Sequence, residues 1–274
     1  MPAETDLPEA LAACAELVLR TPDPWEKARR SRAAAEKWRS DPNMPVGVAR
    51  PPLRPSRPTR PELLDPRRMP KRRGGSPAGR AALLHAISHI ELNAVDLHWD
   101  IVARFTETKL PKGFYDDWVR AADEESKHFL LLSYCLARHD MRYGDLPAHA
   151  GMWRSAEATK DDLLARLAVV PMVLEARGLD VTPGMIEMFR SVDDAETVSA
   201  LETIYAEEVG HVAYGSKWFH FLCGRADADP KPVFHDLVRR YFGGSLKPPF
   251  NEEKRAEAGL PLDFYWPLVE HDAR

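Results

Sequence analysis

FYDDWVRAADEESKHF, residues 114–129, is the stretch from which the rest of the chain can be read. Glu125-Ser-Lys-His128 within it sets a carboxylate and an imidazole one helical turn apart on one face, where both can reach one ion. One such motif is weak evidence, because acids and histidines are common on solvated helix faces. A second, Glu208-Val-Gly-His211, follows well downstream. The offset from Glu91 to Glu125 and the offset from Glu175 to Glu208 differ by a single position. Each half therefore reads Glu in one helix, then Glu-x-x-His in the next: an internal repeat of ligand type.

Working outward, apolar residues recur three and four apart, as at Leu84, Ile87, Val95 and Val102. The expected fold is all-α, with major helices at about 76–106, 113–139, 156–178 and 193–223, the third stopping at Arg177-Gly178-Leu179-Asp180. These lengths suit a four-helix bundle. The connection from about 140 to 155 is too long for a tight turn and fits a crossover between the second and third helices. A smaller helix at 232–242 and a tail ending near Phe264, Tyr265 and Trp266 follow, and tail aromatics are expected to dock. The expected parts are 1–75 (N-terminal helices and a Pro/Arg-rich arm), 76–224 (the bundle) and 225–274 (a C-terminal helix and tail).

Glu91 and Glu175 sit among apolar neighbours: Ile87 and Val95 for the first, Pro171 and Leu179 for the second. A carboxylate buried alone costs several kcal/mol or becomes neutral. Four converging carboxylates are balanced by two divalent cations, with two neutral imidazoles completing the set, as in ferritin-like di-iron and di-manganese proteins. Glu and His suit iron, manganese or a mixed pair, and thiolates for a structural zinc are lacking. The expected ligands are Glu91, Glu125, His128, Glu175, Glu208 and His211, meeting at one spot.

The chain has 274 residues, a formal charge of -4 and 44% hydrophobic residues, which excludes a histone-like or disordered protein. Ten of its 24 prolines fall between Pro42 and Pro77, an extended basic arm. Residues 46–80 hold ten Lys+Arg and two acids, a charge of +8 that leaves -12 on the remainder. The arm is expected to lie across its own acidic body, with a nucleic-acid strip at 46–73 as the alternative. No continuous apolar run long enough to span a membrane is present. Cys14, Cys135 and Cys223 form no CxxC pair, and the acidic N-terminal stretch reads as an amphipathic helix, so a reducing cytoplasm is the expected address.

HAISHIEL (85–92), FYDDWVRAADEESKHF (114–129), YGDLPAHAGMW (143–153), LARLAVVPMVLEARGLDVTPGM (164–185) and EEVGHVAYGSKWF (207–219) together resemble a bacterial ferritin-like family carried under a label of unknown function. The resemblance extends to GRAALLHA and to the late PPFN segment, and so covers nearly the whole chain. It implies a ferritin-like bundle with a di-metal centre on the same six residues. The ligand pattern is more distantly similar to that of the di-iron tRNA hydroxylase family, a likeness that transfers no substrate.

Other residues read differently. Glu124 and Glu207 are turned about 100° from the ligand acids. His98, seven residues after Glu91, tunes the site, lines an access path or is a satisfied interior histidine. Tyr205, three residues before Glu208, is a hydrogen-bond donor or redox relay near the metals, or packs with one hydroxyl partner. His85 and His89 read as a polar cluster.

The expected function is a non-haem di-iron or di-manganese oxidoreductase, a dioxygen-dependent monooxygenase or oxidase of a small organic substrate fed by an external electron donor. Iron oxidation and storage, or peroxide detoxification, is one alternative. The arm and tail burden a cage, so a monomer or dimer is expected, and a rubrerythrin-type CxxC module is lacking. The other alternative is a metal-stabilised tRNA-binding protein using the arm.

Overall fold

The computed structural model describes residues 7–65, 68–70 and 74–269, so part of the basic arm (66–67 and 71–73) lies outside the described residues. Among the described residues the chain is helical and contains no strand, only two isolated bridges. It forms two compact units, Met1–Trp153 and Arg154–Arg274.

The first unit holds α1 (Leu11–Leu19), α2 (Pro24–Ser40), α3 (Pro77–Arg104) and α4 (Lys112–Arg138). Ser76 caps α3 by accepting from the Gly79 N–H, and Pro77 follows where a missing N–H does no harm. Likewise Asp23 accepts from the Glu26 N–H ahead of Pro24. α3 and α4 pack together, α2 covers α4, and α1 covers α3. α3 is therefore buried nearly all round, polar residues included.

Several of those polar residues have definite partners. Lys27 Nζ reaches Asp96 Oδ1 at 2.5 Å and the Ser56 carbonyl at 3.1 Å, and Arg57 reaches Asn93 Oδ1 at 2.6 Å. Burial pushes Lys27 down and Asp96 up, while their mutual attraction opposes both shifts. Arg104 grips Asp100 and the Pro52 carbonyl. The described part of the arm is thus laid along its own unit, further fixed by Ser56 N–H to Leu19 O and by Leu64 N–H to Ala148 O.

The long connection after α4 also lies on α3. His85 Nε2 accepts from the Gly144 N–H at 3.0 Å. His89 Nε2 lies 3.1 Å from the His149 carbonyl, to which it must donate, so Nδ1 accepts from the Tyr143 hydroxyl at 2.8 Å. Burial first, then Arg57, pushes His89 down to about 3, so the ring stays neutral. The His85/His89 pair is this polar cluster.

α5 (Gly151–Ala158) carries the boundary between the units. The second unit holds α6 (Leu163–Val169), a π-helical turn (Val170–Glu175), α7 (Ala176–Arg190), α8 (Ala195–Arg225), α9 (Pro230–Tyr241), α10 (Glu252–Glu257) and α11 (Leu262–Tyr265). The third expected helix is corrected at both ends: it starts at Leu163 and does not stop at Gly178, but runs to Arg190. Asp162 begins it by accepting from the Ala165 N–H. Pro171 removes a helical donor and clashes with the preceding turn, and the widened π turn accommodates it. Pro183 removes another donor, the one that would bond Leu179 O; Asn251 Nδ2 from the tail supplies it instead at 3.2 Å. That side chain lets α7 continue through a proline.

The tail docks on its own unit. Phe264 and Tyr265 are buried, whereas Trp266 is 46% exposed. No described helix is long and apolar enough to cross a membrane.

Candidate metal centre

In the first unit α3 supplies Glu91, and α4 supplies Glu125 and His128, all buried. One ligand atom from each lies within 4.8 Å of the others. Glu91 Oε2 is 3.1 Å from His128 Nδ1, and Glu125 Oε2 is 3.5 Å from the same nitrogen. His98 is also buried, its Nε2 3.6 Å from Glu125 Oε1 and its ring stacked on Trp118.

In the second unit Glu175 closes the π turn, and α8 supplies Glu208 and His211, again all buried. Glu175 and His211 offer ligand atoms within 4.8 Å of one another. Glu208 Oε1 stands 3.7 Å from His211 Nδ1. These buried His and Glu groups can hold a metal ion.

The chemistry of the surroundings fits a cation. Other buried acids of this fold take a cationic side chain: Asp96 takes Lys27, Asp100 takes Arg104, and Asp180 takes Arg255. The glutamates instead meet histidines. Separations of 3.5–3.7 Å are too long for hydrogen bonds. Two donors each about 2.0–2.2 Å from one ion stand roughly 3.0–3.6 Å apart; the 3.5 and 3.6 Å separations at Glu125 fall inside that range, and the 3.7 Å separation of Glu208 and His211 lies just beyond it.

Glu124 is turned away, paired with Arg120 at 2.9 Å. The Tyr205 hydroxyl accepts from Asn251 Nδ2 at 2.7 Å. In the first unit, a cleft of about 570 Å³ is lined by Arg32, Trp38, Arg39, Lys112 and Asp123 among others. Arg32 and Arg39 both bind Asp123 there, so it is an ion-pair network.

Residues 20–266 match the model of a family described as "Protein of unknown function (DUF455)". The chain belongs to this family. A relative described as "Uncharacterized protein" in Haemophilus influenzae (strain ATCC 51907 / DSM 11121 / KW20 / Rd) is 41% identical over 208 residues, covering 74% of this chain and 72% of the relative. No solved structure matches. The DUF455 description names neither a fold nor an activity.

Two supporting features of this DUF455 chain have no signature in the sequence. Gly215 of α8 lies so close to the π turn that a Cβ there would stand 2.5 Å from Pro171 Cγ. The proline ring cannot swing aside, so the backbone leading to Glu175 would have to move. Gly215→Ala is expected to lower stability by about 1–3 kcal/mol and to weaken metal binding, read by thermal melting and elemental analysis. Wild-type values for both would show that the contact is slack. The second feature is the buried Arg255–Asp180 pair, whose partners lie 75 residues apart.

Proposed function

We propose that the two ligand sets serve one dinuclear centre, Glu91, Glu125 and His128 with Glu175, Glu208 and His211, inside a ferritin-like four-helix bundle of α3, α4, the α6-to-α7 run and α8. We further propose that the protein is a non-haem di-iron or di-manganese oxidoreductase, a dioxygen-dependent monooxygenase or oxidase. One observation supports this reading: each unit buries a glutamate together with a Glu-x-x-His pair whose carboxylate and imidazole face each other at 3.5 and 3.7 Å, too far apart for a hydrogen bond.

Four carboxylates and two neutral imidazoles balance two divalent ions. When bound, two reduced ions with open coordination positions supply dioxygen binding and a two-electron reduction. The chain's own part is to hold the donors on packed helices and to keep bulk water from the buried set. Reducing equivalents come from an external donor.

The test is elemental analysis of protein purified from its own host, followed by anaerobic loading with ferrous ion and exposure to oxygen. About two ions per chain and oxygen uptake that continues only with added reductant are expected. Less than one ion per chain would overturn the metal centre. Gel filtration separates the enzymatic reading from storage: a monomer or dimer fits an oxygenase, and a particle of several hundred kDa would replace it with a ferritin-like cage.

A further inference from the structure

We infer that His98 is an additional metal ligand, bound to the ion on the far oxygen of Glu125 from His128. This deepens the dinuclear reading and rests on it. The carboxylate of Glu125 stands between two imidazoles and offers a different oxygen to each: Oε2 is 3.5 Å from His128 Nδ1, and Oε1 is 3.6 Å from His98 Nε2. Both separations are too long for a hydrogen bond and fit two donors sharing an ion. A carboxylate so placed can bridge two ions, with Glu91 and His128 on one side and His98 on the other.

The position of His98 supports the assignment. It follows Glu91 by seven residues, two helical turns along α3, and so returns to nearly the same face. Its ring is fully buried, and stacking on Trp118 at 5.3 Å between centroids, with planes 25° apart, holds its orientation. Trp118 lies on α4 seven residues before Glu125, so the helix that offers the carboxylate also steadies the imidazole.

A neutral imidazole adds no charge, so four glutamates still balance two divalent ions. It does make the two ions unlike. Six ligands in two matched sets give each ion one histidine; a third histidine gives one ion a more nitrogen-rich environment, and with it a different affinity and redox potential. Neither Glu-x-x-His motif marks this residue.

The test uses the full chain loaded with cobalt(II), in the wild type and as His98→Gln. Each ligating histidine whose remote nitrogen keeps its proton gives one exchangeable, hyperfine-shifted proton resonance. Three such resonances are expected in the wild type and two in His98→Gln. The variant should keep one tight cobalt and bind the second about 100-fold or more weakly, since loss of even an outer-shell partner costs 10–100-fold. Two resonances in a wild type that binds two cobalt ions would overturn the role of His98 and leave the dinuclear reading standing. A wild type that binds no cobalt would overturn both. If His98→Gln fails to fold, the wild-type resonance count decides the matter by itself.

Discussion

Glu125→Ala protein is expected to keep its helices and lose its metals. Glu125 is 1% exposed and offers one oxygen to the His128 side and the other to the His98 side, so its removal takes a donor from each ion of the proposed pair. Elemental analysis should fall from about two ions per chain to less than one, and oxygen uptake to background. A thermodynamic readout accompanies the chemical one. A ligand that binds only the folded state stabilises it by about 2.7 kcal/mol at a hundredfold excess over its dissociation constant. For a chain of this size that is roughly 5–10 °C in melting temperature. Wild-type protein should show that rise on adding metal and lose it to a chelator, and Glu125→Ala should show neither. Glu208→Ala should behave alike if both units feed one centre. Two retained ions in either variant would contradict the assignment. Glu125→Gln keeps the side-chain shape and separates loss of ligation from loss of packing.

Much of this arrangement could be read from local chemistry. Helices α3, α4 and α8 fall within about two residues of expectation because their ends are chemically marked, by Ser76 before Pro77 and by Asp194 accepting from the Thr197 N–H. The burial of Glu91 and Glu175 followed from their apolar neighbours. What failed was the segment whose conformation depends on distant residues. Gly178 and Pro183 look like the end of a helix, and by local propensity they are. The helix continues because Asn251, 72 residues from Leu179, replaces the hydrogen bond that Pro183 cannot make. The π turn itself answers to Pro171, but the close-set Gly215 that packs against it is far away in the chain. His98 stayed ambiguous because seven residues from a ligand identifies a face but not a distance. Lys27 and Asp96 meet across 69 residues, and no local pattern announces such a pair.

The same distant tail gives the second large effect, expected for Arg255→Met. Arg255 is 2% exposed, and its guanidinium forks onto Asp180, Nε to Oδ1 at 2.8 Å and Nη2 to Oδ2 at 2.7 Å. It lies 4.6 Å from the centroid of Tyr265 and 5.0 Å from that of Phe250, so cation–π attraction adds to the charge pairing. Asp180 also accepts from the Asn251 N–H at 2.9 Å. One carboxylate on α7 thus fixes the tail residue that repairs Pro183. Removing one partner of a buried pair leaves the other charge uncompensated and costs about 3–5 kcal/mol. Arg255→Met, which retains an apolar stem of similar reach, should lower the unfolding free energy from urea titration by that amount. Arg255→Lys should recover only part of it, because an ammonium neither forks nor stacks as a guanidinium does. Pairing Arg255→Met with Asp180→Leu should cost less than Arg255→Met alone, because both buried charges go together. A loss below about 1 kcal/mol in the single variant would mean that the pair is open to water and behaves as a surface bridge. Because α7 continues directly from the turn that ends in Glu175, loosening this clamp should also weaken metal binding. A variant that melts early yet binds metal as tightly as the wild type would confine the clamp to stability and free Glu175 from the tail's influence.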